Sequence, residues 1–149
     1  MERRQTMPRR WMIADSGNDW WMAARRLPIS SGILLLRPLS PTEQRRLRIL
    51  ARRRDLTVVI EARSVAARVH DMRELRQALS RRTPFILLSP IHKTRSHPDW
   101  EPLPLMRAAT LARLTGRKAV ALGGMNERRY ARIAALGFIG WAGISAFRT

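Results

Sequence analysis

The sequence predicts an α/β fold whose parallel sheet closes as a TIM-type (β/α) barrel. Three observations carry that expectation. Short apolar runs alternate with arginine-rich helical stretches along all 149 residues. The apolar runs are continuous, as in strands covered on both faces. The last two strands end in the small, backbone-rich turns "GGMN" and "GIS", and barrels commonly hold phosphate in the loops after strands seven and eight. A doubly wound sheet also fits the strand count, but the first strand–helix turn, "ADSGNDW", has no phosphate-gripping glycine fingerprint.

The elements follow in order. "WMIAD" at 11–15 reads as a strand ending in Asp15, and "DWWMAARRL" at 19–27 as a short helix capped by Asp19. "GILLLRP" at 32–38 reads as a buried strand. In "SPTE" at 40–43, Ser40 caps, Pro41 suits the first helical position and Glu43 completes a capping box, so a helix runs to about Arg54. "LTVVIEA" at 56–62 is β-branched and continuous, which predicts a strand buried on both faces. "RSVAARVH" at 63–70 is ambiguous between loop and short strand, and "DMRE" at 71–74 is a second capping box, opening a helix to about Arg82. "FILLSPI" at 85–91 is a strand, followed by a proline-rich loop and a helix from about Leu103 to Thr115, stopped by Gly116. "KAVALGG" at 118–124 is a strand ending in two glycines, and Asn126 caps a helix that Gly137 ends. "FIGWAGISAF" at 138–147 is the last strand and its exit turn.

Composition narrows the class. Hydrophobic residues make up 45% of the chain, enough for a core, which excludes a disordered basic tail. The length suggests one domain over 1–149, with 1–9 as a flexible basic N-terminus. Cysteine is absent, so disulfide and thiolate chemistry are excluded, and a reducing compartment fits. No long apolar segment follows the basic start, so neither a signal peptide nor a membrane span is expected and the cytoplasm is the simplest location. The net charge is +18, and Lys93 and Lys118 are the only lysines among 29 basic residues. Clustered arginines suit nucleic acid. These are spread through every predicted helix, with no zinc pattern, RNA-binding strand motif or helix-turn-helix beside them, which favours solvated helix faces.

Three segments in a row resemble one family. "SPIHKTRSHPD" at 89–99 is similar to Gly-Pro-(Ile/Val)-Phe-Pro-Thr-x-(Thr/Ser)-Lys, "AVALGGMN" at 119–126 to Ala-Ile-Gly-Gly-Ile-Asn, and "GWAGISAF" at 140–147 to Gly-(Val/Ala)-Ala-Val-(Val/Ile)-Ser-Ala-Ile. These belong to the thiamine-phosphate synthase and thiazole tautomerase superfamily of (β/α)₈ barrels. Their joint order and spacing is far more specific than any one alone. The first half matches more loosely, through "GILLLRP" where the family has a strand ending Gln-x-Arg-(Glu/Asp)-Lys.

The resemblance implies coupling of hydroxymethylpyrimidine diphosphate with thiazole phosphate, with loss of pyrophosphate and formation of thiamine phosphate. Magnesium, basic residues and hydroxyls would stabilise the departing pyrophosphate. Carried over by position, Arg37 would contact the diphosphate, and Thr94 and Ser96 match the hydroxyl pair of the loop after strand six. Gly123 and Gly124 match glycines whose amides approach the thiazole phosphate, and Ile144 and Ser145 match the pair that holds the same phosphate. Glycine suits such a place because a Cβ would block close backbone approach.

Departures are equally visible. Leu35 and Leu39 stand at the family's glutamine and second-strand lysine, and His97 at the lysine closing the sixth-strand loop. Glu61 and Ala62 stand at its Asn-Asp pair, so Asp15 and Glu61 are the remaining candidates for magnesium. The chain is also short, since such barrels rarely fall below about 200 residues. The shortage falls near residues 62–71, so about one strand–helix unit is missing, and a homodimer closing the exposed edges is one hypothesis. Reduced or lost synthase activity is expected from the missing acids. Three alternatives stay open: a non-catalytic phosphate-ligand sensor, an arginine-rich nucleic-acid binder and a tautomerase-like protein. The tautomerase branch uses a histidine where this chain has Pro90, with His92 and His97 nearby. Trp11, Trp20 and Trp21 are expected in core or rim packing, and His70 and Asp71 in structural roles. His92 and His97 have helix-face metal spacing but lie in a proline-flanked loop.

Overall fold

A computed structural model of the chain describes residues 7–15, 20–62 and 65–147. The elements run β1 (Arg10–Ala14), α1 (Trp20–Arg26), β2 (Gly32–Leu35), α2 (Pro41–Arg54), β3 (Thr57–Ile60), β4 (Ala66–Val69), α3 (Met72–Ser80), β5 (Phe85–Leu88), α4 (Leu105–Leu114), β6 (Ala119–Leu122), α5 (Glu127–Ile133) and β7 (Gly140–Gly143). Short 3₁₀ turns follow α5 at Ala134–Leu136 and β7 at Ser145–Phe147. The predicted Asp19 cap lies outside the described residues, as does most of the basic stretch 1–9. The end of that stretch is tied down: the Arg9 carbonyl accepts from the Trp141 amide at 2.8 Å and the Pro8 carbonyl from Trp11 Nε1 at 2.8 Å.

The seven strands form one sheet in the order β3-β2-β1-β7-β6-β5-β4, with every pairing parallel. The two ends of that order, β3 and β4, are consecutive in the chain and joined only by residues 61–65. Among the described residues no helix separates them and no ladder pairs them, and the sheet curls into an incomplete TIM-type barrel with one seam. This is the shortened unit expected near 62–71. Glu61 still follows the β2 ladder, its amide donating to the Leu35 carbonyl at 2.8 Å, and the Ala62 carbonyl accepts from the amides of Val65 and Ala66 at 2.8 Å.

The barrel interior holds Trp11 and Ile13 from β1, Leu34 from β2, Phe85 and Leu87 from β5, with Val120, Ala142 and Ala66 completing the ring. Trp11 meets Phe85 edge-on at 4.6 Å. Trp11 also explains Gly32, its register partner on β2: a Cβ there would lie 2.2 Å from the indole. Two further clusters lie between sheet and helices, one under α3, α4 and α5 and one under α1 and α2.

Capping follows the sequence closely. Ser40 and Glu43 close a full capping box on α2, with Pro41 at its start. Asp71 caps α3 by accepting from the Glu74 amide at 2.8 Å. The reciprocal half differs from expectation: Glu74 reaches past the cap to the His70 amide at 2.7 Å and His70 Nδ1 at 2.8 Å. One strand departs from its prediction. β3 was expected to be buried on both faces, yet it is half-exposed throughout and Ile60 is 44% exposed. The continuous apolar run is a sound sign of a strand, but β3 has a partner on one edge only and no following helix to cover it.

Candidate functional site

The C-terminal ends of the strands open onto a cleft of about 830 Å³. Ile13 and Asp15 reach it from the end of β1, Arg68 from β4, and Lys93–His97 and Trp100 from the long loop after β5. The turn after β6 contributes Gly123, Gly124 and Asn126, α5 contributes Arg129, and the end of β7 contributes Ile144 and Ser145. The three segments singled out in the sequence therefore meet in one place, although they are separated by α4 and α5 in the chain.

The loop after β5 is anchored at both ends. The Leu103 amide donates to Pro90 O at 2.8 Å, the Ile91 amide to Leu122 O at 2.9 Å and the His92 amide to Gly123 O at 3.1 Å. Gly123 has φ +108°, and a Cβ on it would sit 2.9 Å from the Ile91 nitrogen. Gly124 has φ +58°, and its Cβ would meet His92 Cβ and the Lys93 carbonyl at 3.0 Å. Both glycines thus let the β6 turn nest against the β5 loop, over and above any approach to a ligand.

Within the loop, Thr94 Oγ1 accepts from the His97 amide at 3.1 Å, which bends the chain and leaves the hydroxyl proton to donate elsewhere. The His97 ring stacks on Trp100 at 4.2 Å, and Trp100 meets His70 edge-on at 5.4 Å. Ser96 is exposed at the cleft rim. His92 lies outside the cleft lining. Burial, then the charges of Arg129 and Arg132, hold its imidazole below the usual histidine range. Arg129 donates from Nη1 to the Gly124 carbonyl, while its amide is taken by the Asn126 cap at 2.9 Å.

Two predicted ligands stand elsewhere. Arg37 does not line the cleft: its guanidinium donates to Pro38 O at 3.3 Å and lies 3.9 Å from Glu43. β2 ends at Leu35, and the chain turns away to reach the Ser40 cap, carrying Arg37 with it. Leu35 and Leu39 are buried in the cluster under α1 and α2, so apolar packing occupies the positions of the family's glutamine and lysine. Glu61 is engaged by Arg68, whose Nε and Nη2 bind its two carboxylate oxygens at 2.7 and 3.3 Å across the seam.

The lining is strongly basic. Arg68, Lys93, Arg95 and Arg129 contribute four cations, and Asp15 is the one carboxylate among the described lining residues. Magnesium wants a near-octahedral set of oxygen ligands, usually including carboxylates. Among the described residues no group of three or more His, Asp or Glu side chains could hold a metal, and Glu61 is committed to Arg68. The residues present do not fit a magnesium centre built from Asp15 and Glu61.

Arg68, Arg129 and Trp100 escaped sequence reasoning. Arg68 left one signal: an arginine inside the apolar strand "AARV" calls for an acid nearby, and Glu61 precedes it by seven residues. Arg129 and Trp100 carry no distinguishing local pattern.

A parallel barrel with one open seam and a basic cleft at the C-terminal ends of its strands defines the class of protein. The family model for thiamine monophosphate synthase matches residues 45–147, well over half of the chain, which therefore belongs to that family. Two solved structures share the fold. A thiamine phosphate pyrophosphorylase from Pyrococcus furiosus is 15% identical with a TM-score of 0.74, over 95% of this chain and 88% of that one. A thiamine phosphate pyrophosphorylase from Bacteroides thetaiotaomicron is 18% identical with a TM-score of 0.56, over 94% and 84%. No curated protein sequence matches significantly. Among the described residues no helix is long and apolar enough to cross a membrane.

Proposed function

We propose that the cleft binds thiazole phosphate and hydroxymethylpyrimidine diphosphate and supports synthase-type coupling of the two to thiamine phosphate. The observation that carries this reading is the convergence of the three family-like segments, after β5, β6 and β7, on one basic cleft. Thiazole phosphate would lie between the Gly123–Gly124 turn and Ile144–Ser145. The diphosphate would face Arg68, Arg95 and the hydroxyls of Thr94 and Ser96. As pyrophosphate departs, negative charge grows on its oxygens, and these guanidinium and hydroxyl donors would meet that charge. His97, stacked on Trp100, would border the same group.

A second reading is favoured by the engagement of Glu61 and the outward turn of Arg37. In it the cleft binds phosphorylated ligands without coupling them. Exposed arginines stand on all five helices, Arg45, Arg52, Arg76, Arg107 and Arg128 among them, a distribution that supports solvated helix faces over a nucleic-acid groove.

One experiment separates the readings. The protein is incubated with both phosphorylated precursors, with and without magnesium, and thiamine phosphate is measured. Product above the uncatalysed control supports coupling. Saturable binding of thiazole phosphate without product supports the binding-only reading, and failure to bind either precursor rejects both.

A further inference from the structure

We propose that the cleft binds a diphosphate group without magnesium, using the guanidinium of Arg68, which Glu61 holds in place across the barrel seam. The inference rests on the reading of the cleft as a site for phosphorylated ligands and adds how its charge is met.

A diphosphate needs several positive charges or donors around it. A divalent ion supplies them when carboxylates are present to hold it. Here the described lining offers one carboxylate, Asp15, against Arg68, Lys93, Arg95 and Arg129. The balance of charge already matches an anion and would be poor for holding a cation.

Arg68 differs from the other three in being largely buried and held by a carboxylate at two points. Lys93, Arg95 and Arg129 are exposed, whereas the Arg68 side chain is two-thirds buried, with 33% of its surface accessible. Its contact with Glu61 is side-on and uses Nε and Nη2. A guanidinium has five N–H donors in a rigid fork. Two are used here, so three remain for a ligand in the cleft. The geometry suits a bidentate grip on phosphate oxygens, whose strength comes from charge-assisted hydrogen bonds. The seam makes the arrangement possible. Only five residues link β3 to β4, which brings Glu61 at the end of β3 against Arg68 on β4. The carboxylate that the sequence offered as a metal candidate is the orienting partner of a permanent cation.

The test is calorimetric titration of the full chain with inorganic pyrophosphate, in EDTA and in millimolar magnesium, beside a titration with thiazole phosphate. Pyrophosphate is expected to bind in EDTA, with no tightening on adding magnesium. Arg68→Met should weaken it roughly 10- to 100-fold, with thiazole phosphate affected less than about threefold. Arg68→Lys keeps the charge but loses the fork, and should fall between the two. Thermal melts of each variant check folding. If Arg68→Met does not fold, the Arg68→Lys comparison decides the matter. Tightening by magnesium of tenfold or more overturns the proposal, as does wild-type pyrophosphate affinity in a folded Arg68→Met or Arg68→Lys. Thiazole phosphate binding without pyrophosphate binding in EDTA overturns this proposal and spares the broader reading. Failure of both ligands overturns both.

Discussion

The covered side of the barrel, β5 to β7, and the seam between β3 and β4 use strands of equal length, four residues each. On the covered side every strand has a partner on both edges, and β5 and β7 are buried at every position. At the seam each strand has one partner, β3 is half-exposed, and the edges are joined by Glu61 and Arg68. Exposed strand edges are commonly blunted with charge, and the seam does this with an ion pair that also lines the cleft. The contrast teaches that the family-like segments sit where packing is continuous, and that the shortened segment exchanges packing for polar contacts.

Substitutions can break or sharpen this contrast. The largest effect is expected from Trp11→Ala, which empties the barrel interior beside Phe85. A loss of about 3–5 kcal/mol in denaturant unfolding is expected from such a truncation, and a loss under 1 kcal/mol would show that the interior is not close-packed. Gly123→Val comes next. Its backbone at φ +108° and the approach to Ile91 leave no room for a β-branched side chain, so strain of about 1–3 kcal/mol is expected. Thiazole phosphate affinity should fall with it, and retained affinity and stability would mean that the two loops are not nested as described.

Asn126→Ala removes the cap of α5 and should cost about 1 kcal/mol, read from the thermal midpoint. At the seam, Arg68→Met removes a partly exposed pair and should change global stability by only about 0–1 kcal/mol. Amide exchange should nevertheless quicken in β3 and β4 and stay unchanged in β6, whereas uniform quickening would place the seam in the same cooperative unit as the covered side.

The smallest effect concerns pH. Glu127 binds Arg9, Arg10 and Trp141 Nε1 and so ties the N-terminal arm to β7. Burial pushes its carboxyl upward, but hydrogen bonds from Arg10 and Trp141 and the two arginine charges outweigh it and hold the group below its ordinary value near 4.5. A folded-state value lowered in this way favours the native state above the unfolded value, and the contribution fades as pH falls through the lowered one. The stability gap between wild type and Glu127→Gln should therefore be widest near neutral pH and close on acidification below about 4.5. A gap independent of pH would mean that the role of Glu127 is packing alone.

Much of this was legible in the residues. The caps at Ser40, Asp71 and Asn126 depend on neighbours three positions away, and all three form. The apolar runs marked six of the seven strands, while the one at 66–69, interrupted by Arg68, stayed ambiguous. Thr94, Ser96, His97, Gly123, Gly124, Ile144 and Ser145 were placed together through family resemblance, and the structure brings them to one cleft. Local pattern could not reveal where Arg37 would point, because that depends on the turn that leads into α2.

The sequence by itself determined the parallel α/β plan, the helix starts, the short segment and the family, since each depends on neighbouring residues or on a motif read in order. Only the tertiary structure decided what the short segment does. It leaves β3 with one unpaired edge and pairs Glu61 with Arg68. It also places Arg68, from an ambiguous stretch of chain, at the cleft. Those outcomes depend on which strand ends come near each other when the sheet curls, and Glu61 and Arg68 meet only across the unpaired seam.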